Sequence, residues 1–570
     1  MKKFSLAGIA LALAICLGGT VAAAAPKKAA KPAPVEFKPV IAKPKLIVTI
    51  SIDQFSADLF AEYRGHFSGG LKRLGEGAVF PSGYQSHAAT ETCPGHATIL
   101  TGSRPSRSGI IANNWIDPDA ARTDKRIYCA EDETVEGSSS DNYTQSPVHL
   151  KVPTLGDRLK RTSPRSKVVS VSGKDRAAIM MAGHGPDEIW WWNGKREFIS
   201  YKGKAAPPAV IVANEAIDGV LTAGLPAPTL SPFCASRVNP VEVKPPAGMG
   251  DPDAPPKIVG VAPGSIDPGN AAGFTASPNL DSATLDIATR LVTDMALGQD
   301  DDADVLIVGL SATDYVGHTY GTEGPEMCSQ LMAVDVRLGA FFAAIDALKI
   351  PYAVVLTADH GGHDLPERNQ LRALGEAARA SASLTPSVLD QKVTEALNLE
   401  GFYITGDGSP FGDYYIARGL PKAQHDAILA KAREILLQSP QVEAVLSAEE
   451  ISAATKPASP PGEWTLLQRA AASYDKAHSG DFYVILKPYV TPIPDGSGRY
   501  TATHGSIWDY DRRVPMLFWW PGATGFEQPN SVETVDIMPT LASLIGLDVP
   551  AGEIDGRCLD LVAGPQSNCH

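Results

Sequence analysis

Five apolar runs punctuate the chain: Leu46–Ile52, Val168–Val171, Val305–Leu310, Ala353–Leu356 and Met516–Trp520. Their apolar positions run nearly without interruption. Strands of that kind belong inside a sheet covered on both faces, as in parallel α/β folds. Between them the pattern changes to helical spacing, as over Leu280–Leu297 and Glu326–Leu348. Strands alternating with helices predict an α/β fold, a doubly wound and mostly parallel sheet flanked by helices. No internal repeat is present.

Two long stretches break this alternation. The first, about 177–278, contains Ile189 and Trp190–Trp192, then Asn193-Gly194, then Lys195 to Tyr201. Asn-Gly between two such segments predicts a hairpin. The remainder is loop rich in Pro and Gly, above all Asn239–Pro268. The second stretch, about 365–480, reads as largely helical. Both are candidate caps over the sheet edge. The three tryptophans read as packing for the hairpin, with a substrate platform as the alternative.

Composition narrows the class. With 44% hydrophobic and 20% charged residues, the 570-residue chain is globular, which excludes whole-chain disorder and fibrous folds. A net charge of −14 argues against nucleic-acid and anionic-membrane partners. Met1-Lys2-Lys3, an apolar stretch to Val21 and Ala22–Ala25 before Pro26 form a secretory signal pattern, with cleavage expected after Ala24. Residues 25–44 read as a Pro/Lys/Ala linker, 45–560 as the folded body and 561–570 as a tail. Cleavage removes Lys2, Lys3 and Cys16, so the charge becomes −16 and six cysteines remain. An exported protein, periplasmic or secreted and without a membrane anchor, is expected to oxidise them. Of fifteen pairings, proximity favours Cys93–Cys129 and Cys558–Cys569, which leaves Cys234–Cys328.

Chemistry collects where strands end. Leu46–Ile52 runs into Asp53. Val305–Leu310 is followed by Ser311-Ala312-Thr313-Asp314 and, four residues on, His318. Ala353–Leu356 runs into Thr357-Ala358-Asp359-His360. Ligands of open α/β sheets bind at the carboxyl ends of strands, so these residues are placed to converge on a metal. Mixed Asp and His ligands suit zinc. In Thr92-Cys93-Pro94-Gly95-His96, Pro94 fits the first turn of a helix, which puts Thr92 at or near the N-cap. Free N–H groups at such a terminus suit phosphate, and a hydroxyl there is placed to attack phosphorus.

Taken in order, Thr92–His96, Gly109–Asn114, Asp314-x-x-Gly317-His318, Asp359-His360-Gly361 and His504-Gly505 resemble the alkaline phosphatase superfamily. The nearest branch is similar to the type I phosphodiesterase/nucleotide pyrophosphatase group, which uses a Thr nucleophile. Ser172-Gly173-Lys174-Asp175-Arg176 resembles exported bacterial alkaline phosphatases with a Thr nucleophile, in which a Lys and an Arg contact phosphate. Diesterases of the group generally lack that pair. The likeness runs on through Val514-Pro515 and Asp536–Ala542.

The resemblance implies a zinc-dependent alkaline phosphatase that hydrolyses small phosphate monoesters through a phosphothreonine at Thr92. The alternative is a phosphodiesterase or nucleotide pyrophosphatase on the same scaffold. It implies two zinc ions per chain, one held by Asp314, His318 and His504, the other by Asp53, Asp359, His360 and the Thr92 oxygen. Asn113, Lys174, Arg176 and the Cys93 backbone N–H would contact the phosphate. The other nine histidines, His96 and His363 among them, read as structural or surface residues. Cys93 followed directly by Pro94 does not match the C-x-P-x-R pattern of sulfatases. The run Asp300-Asp301-Asp302-Ala303-Asp304 offers oxygens for a structural calcium ion but lacks the EF-hand glycine and closing glutamate. A solvated loop is the plainer expectation.

Overall fold

A computed structural model describes residues 41–246, 255–372, 374–455, 457–550 and 552–569. The expected signal peptide, most of the linker and part of the Pro/Gly-rich loop therefore lie outside the described residues. Ile41, placed in the linker by the sequence, is already buried against the body.

A ten-stranded sheet organises the body. From one edge the order is Phe526–Glu527, Ala78–Tyr84, Arg513–Trp519, Tyr352–Thr357, Leu46–Ile52, Asp304–Leu310, Val168–Ser172, Glu188–Trp192 and Phe198–Ile199, with Val532–Glu533 also paired to Ala78–Tyr84. The five strands from Tyr352–Thr357 to Glu188–Trp192 are parallel. Arg513–Trp519 runs antiparallel to both of its neighbours, so the fifth apolar run has the opposite sense to the other four.

Each central strand serves two cores. Leu46, Val48, Ile50 and Ile52 pack on one face with helices Pro278–Asp294 and Pro325–Ala347. Ile47 packs on the other with helices Thr92–Thr101 and Asp175–Ala182. All these strand residues are fully buried, and burying an aliphatic side chain of this size stabilises by about 1.5–3 kcal/mol. Pro325–Ala347 is long and apolar enough to cross a membrane, but Met327, Leu331, Val334 and Leu338 lie in the protein core.

The expected hairpin forms, Glu188–Trp192 against Phe198–Ile199. It belongs to the main sheet rather than to a cap. Trp190 and Trp192 enter one core and Trp191 the other, as successive side chains on a strand must. The second long stretch holds more helix than strand, as expected. It also supplies Ile404–Thr405, Gly412–Ile416 and Val442–Ser447 to a separate antiparallel sheet, which Phe482–Leu486, just beyond the stretch, completes. Helices Pro386–Leu397 and Lys422–Leu437 cover it around a separate apolar cluster.

Disulfides join Cys93–Cys129, Cys234–Cys328 and Cys558–Cys569, the pairing that proximity favours. Residues 561–569 are not a loose tail. Leu561 is buried, and Asn568 accepts its N–H and donates to the Leu559 carbonyl. In the acidic run, Asp300, Asp301 and Asp302 pair with Lys167, Lys45 and Arg165. Asp304 is buried and accepts the N–H groups of Lys167 and Gly298, so these carboxylates already have partners.

His87, fully buried after the Ala78–Tyr84 strand, is pushed down to about 3 by burial and by the Arg512 charge. The unfolded chain takes up that proton near the ordinary value of 6.5, so stability is fully present above pH 6.5 and falls as pH drops toward 3. The cost is about 2 kcal/mol by pH 5. Melting temperatures at pH 7 and pH 5 should fall less for His87→Leu than for the wild type. Equal falls would remove His87 as the cause.

Candidate active site

Four adjacent parallel strands deliver their C-terminal ends to one edge of the sheet. Asp53 follows the first strand, and Gln54 next to it adopts φ 63°, which turns the chain so that its N–H donates to Asp359 Oδ1 at 3.1 Å. Asp314 and His318 lie one turn apart on helix Ala312–Tyr320. Asp359 and His360 follow the third strand. Lys174 and Arg176 follow Val168–Ser172 at the start of helix Asp175–Ala182. His504 arrives from the loop before Arg513–Trp519. Thr92 is the first residue of helix Thr92–Thr101, one position inside the Glu91 N-cap.

Two glycines of the motifs are explained by close approach. A Cβ on Gly95 would lie 2.0 Å from the Asp359 carbonyl oxygen, and one on Gly317 1.6 Å from Gln54 Oε1. At Gly95 the obstacle is backbone and only hydrogen fits, so the helix of Thr92 can press against the strand end; at Gly317 the Gln54 side chain would have to move.

The donor set fits divalent metal. Asp53, Asp359 and His360 are fully buried, and Asp314 and Thr92 nearly so. The Nδ1 atoms of His318, His360 and His504 lie 2.9, 2.9 and 2.8 Å from the carbonyls of Ala502, Gly361 and Thr90. A carbonyl accepts only, so each Nδ1 carries a proton, and in the neutral ring each Nε2 presents a lone pair. Those lone pairs face carboxylates. His318 and His504 Nε2 are each 3.3 Å from Asp314 Oδ1, and His360 Nε2 is 3.2 Å from Asp359 Oδ2. Among the described residues Asp53 Oδ1, Asp314 Oδ1, Asp359 Oδ2 and His360 Nε2 have no hydrogen-bond partner, while Asp53 Oδ2 faces only the Lys174 ammonium, at 3.0 Å. Lone pairs opposed in a buried space call for cations between them.

Two groups of ligand atoms lie within 4.8 Å: Asp314, His360 and His504, and Asp53, His96 and Asp359. His360 thus reaches toward both clusters, and its ring stacks on His504 at 3.5 Å. His96, read from sequence as structural, belongs to the centre. It is fully buried, with Nε2 3.3 Å from Asp53 Oδ1 and Nδ1 2.8 Å from the Thr92 carbonyl. Its position four residues after Thr92, on the same helix face, was the available signal. His363 stays outside, bonded to Thr491 Oγ1 at 2.9 Å. Asp281, also missed, accepts the Ala312 N–H at 3.0 Å and Gln330 Nε2 at 2.7 Å. It anchors the N-terminus of the helix that carries Asp314, and burial raises it to about 7.

The residues expected to contact phosphate differ in how free they are. Lys174 Nζ lies 3.5 Å from Thr92 Oγ1, 3.0 Å from Asp53 Oδ2 and 2.5 Å from Asp314 Oδ2. Burial opposes its charge, but the two carboxylates outweigh it and hold the ammonium protonated. Arg176 Nη2 is also 3.5 Å from Thr92 Oγ1. The Cys93 N–H is not free: it donates to Asn113 Oδ1 at 2.8 Å. That bond joins two of the expected phosphate contacts and engages the amide oxygen of Asn113, whose Nδ2 remains as donor. Glu91 in turn accepts the Asn113 N–H at 2.6 Å.

The family model for type I phosphodiesterase / nucleotide pyrophosphatase matches residues 47–507. The chain is 52% identical to alkaline phosphatase PhoK of Sphingomonas sp., over 92% of each chain. It is 46% identical to alkaline phosphatase PhoD of Zymomonas mobilis subsp. mobilis, over 92% of this chain and 89% of that one. The crystal structure of wild-type alkaline phosphatase PafA superposes with a TM-score of 0.74 at 26% identity, covering 92% of this chain and 100% of the other. With the family model spanning most of the sequence and these relatives matching it nearly end to end, the chain belongs to the type I phosphodiesterase/nucleotide pyrophosphatase family.

Proposed function

We propose that this chain is an exported alkaline phosphatase that hydrolyses phosphate monoesters through a covalent phosphothreonine at Thr92. One observation carries the choice of monoester: two cations, buried Lys174 and half-buried Arg176, flank the Thr92 hydroxyl at 3.5 Å each. A monoester brings three non-bridging oxygens and up to two charges, whereas a diester brings two oxygens and one charge. The likeness to PhoK and PhoD points the same way. Three disulfides suit export to an oxidising compartment, in keeping with the signal pattern over residues 1–24.

Two zinc ions are the proposed cofactors, one held by Asp314, His318 and His504, the other by Asp53, Asp359, His360 and Thr92 Oγ1. When bound, they would supply Lewis acidity to the attacking and leaving oxygens. The chain itself does the rest. Thr92 Oγ1 loses its proton and bonds to phosphorus as the ester oxygen departs. Water then cleaves the phosphothreonine, releasing inorganic phosphate and restoring the hydroxyl. Arg176, Lys174 and Asn113 Nδ2 hold the non-bridging oxygens, where preorganised charge contributes most.

The test is a comparison of substrates. Lys174→Ala with Arg176→Ala should lower kcat/KM for an aryl phosphate monoester by about 10³-fold while changing an aryl diester less than about tenfold. Faster diester cleavage by the wild type, unaffected by the two substitutions, would establish the phosphodiesterase instead.

A further inference from the structure

Arg176 needs a guide. Its side chain is long and loses rotamer entropy when fixed, and among the described residues its guanidinium forms no ion pair. The group that touches it is a phenol: Arg176 Nη1 donates to Tyr128 Oη at 3.5 Å. Tyr128 donates its own proton to Asp175 Oδ1 at 2.7 Å, and Tyr143 donates to Asp175 Oδ2 at 2.8 Å. Asp175 Oδ1 also accepts the Arg176 N–H at 2.7 Å. Both carboxylate oxygens are thus spent. Tyr128, its one proton committed, can only accept from the guanidinium.

The centre of the network is buried. Tyr128 and Asp175 are 7% and 8% exposed, and the two tyrosine rings sit 4.5 Å apart. Burial and the Asp175 charge hold the Tyr128 hydroxyl protonated well above its ordinary range. The strand Arg126–Tyr128 pairs with Asn114–Ile116, and the Cys129 N–H donates to the Asn113 carbonyl at 2.9 Å. Cys129 is disulfide-bonded to Cys93, the neighbour of Thr92. One small hairpin therefore carries Asn113, the phenol against Arg176 and a covalent tie to the nucleophile.

We infer that Tyr128, fixed by Asp175 and Tyr143, is a positioning residue that aims Arg176 at the phosphate and so favours monoesters over diesters. The inference rests on the proposed role of Arg176 and adds how that residue is held. Remove the phenolic oxygen and the guanidinium loses its only side-chain hydrogen-bond partner among the described residues apart from Thr92, so its contribution to phosphate binding spreads over several rotamers.

The experiment is a double-mutant cycle on the zinc-loaded enzyme, read as monoester kcat/KM, diester kcat/KM and inhibition by inorganic phosphate. Tyr128→Phe should lower monoester kcat/KM and weaken phosphate inhibition by about tenfold each, with diester kcat/KM changed less than about twofold. In an Arg176→Ala background it should cause no further loss, because coupled residues are not additive. Asp175→Asn should reproduce the Tyr128→Phe pattern. Equal losses for both substrates, or losses that multiply with those of Arg176→Ala, would show a general structural role and overturn the inference. If Arg176→Ala alone leaves the monoester-to-diester ratio unchanged, the monoesterase reading fails. The phosphate-inhibition cycle then still decides whether Tyr128 acts through Arg176.

Discussion

Thr92→Ala should lower kcat/KM for a phosphate monoester by roughly 10⁴-fold while leaving the fold and bound metal in place. The expectation follows from where the hydroxyl sits. Thr92 opens helix Thr92–Thr101, nearly fully buried, with Lys174 Nζ and Arg176 Nη2 both 3.5 Å from Oγ1. The Cys93 N–H that follows is tied to Asn113 Oδ1, and the Thr92 carbonyl to His96. The residue is held at its backbone and by its neighbours, so losing the hydroxyl removes chemistry more than structure. Thr92→Ser keeps the oxygen and should retain far more activity, and a labelled phosphoryl group should be trapped on the wild type and not on Thr92→Ala. Turnover by Thr92→Ala within tenfold of wild type would place the nucleophile elsewhere.

How far the sequence led depended on the kind of signal each element leaves. Leu46–Ile52, Asp304–Leu310 and Tyr352–Thr357 are buried on both faces, so their apolar runs mark them, and the residues just after them mark the site. Five of the metal-ligand candidates, Asp53, Asp314, His318, Asp359 and His360, were legible in that way. His504 was not, because it comes from a loop with no strand leading into it, and only the family likeness pointed there. His96 was obscured by the helix itself, where a histidine one turn after a capping residue is ordinary. The sheet around Gly412–Ile416 and Phe482–Leu486 was missed because several of its strands are short and lie between helical segments. The bond from the Cys93 N–H to Asn113 was not legible, since nothing local shows that an amide twenty residues away will lie against it.

Removing metal should have the other large effect. Dialysis against a strong chelator should lower monoester turnover by at least about 10³-fold and the melting temperature by roughly 5–10 °C. Zinc should restore both. The reason is the charge left behind. Asp53, Asp314 and Asp359 are buried together, with Lys174, among the described residues, the one basic side chain paired to them besides histidines. Unpairing a buried charge costs about 3–5 kcal/mol, and Lys174 is then held by Asp53 and Asp314 instead of being free for substrate. The stripped protein should therefore bind inorganic phosphate poorly. A chain at −14 has no general attraction for an anion, so its affinity must be local and must come largely from the ions. Calorimetry of phosphate binding to stripped and zinc-restored protein separates the alternatives. Equal affinity in both would mean that Arg176 and Lys174 alone hold the phosphate and that the buried carboxylates serve another purpose.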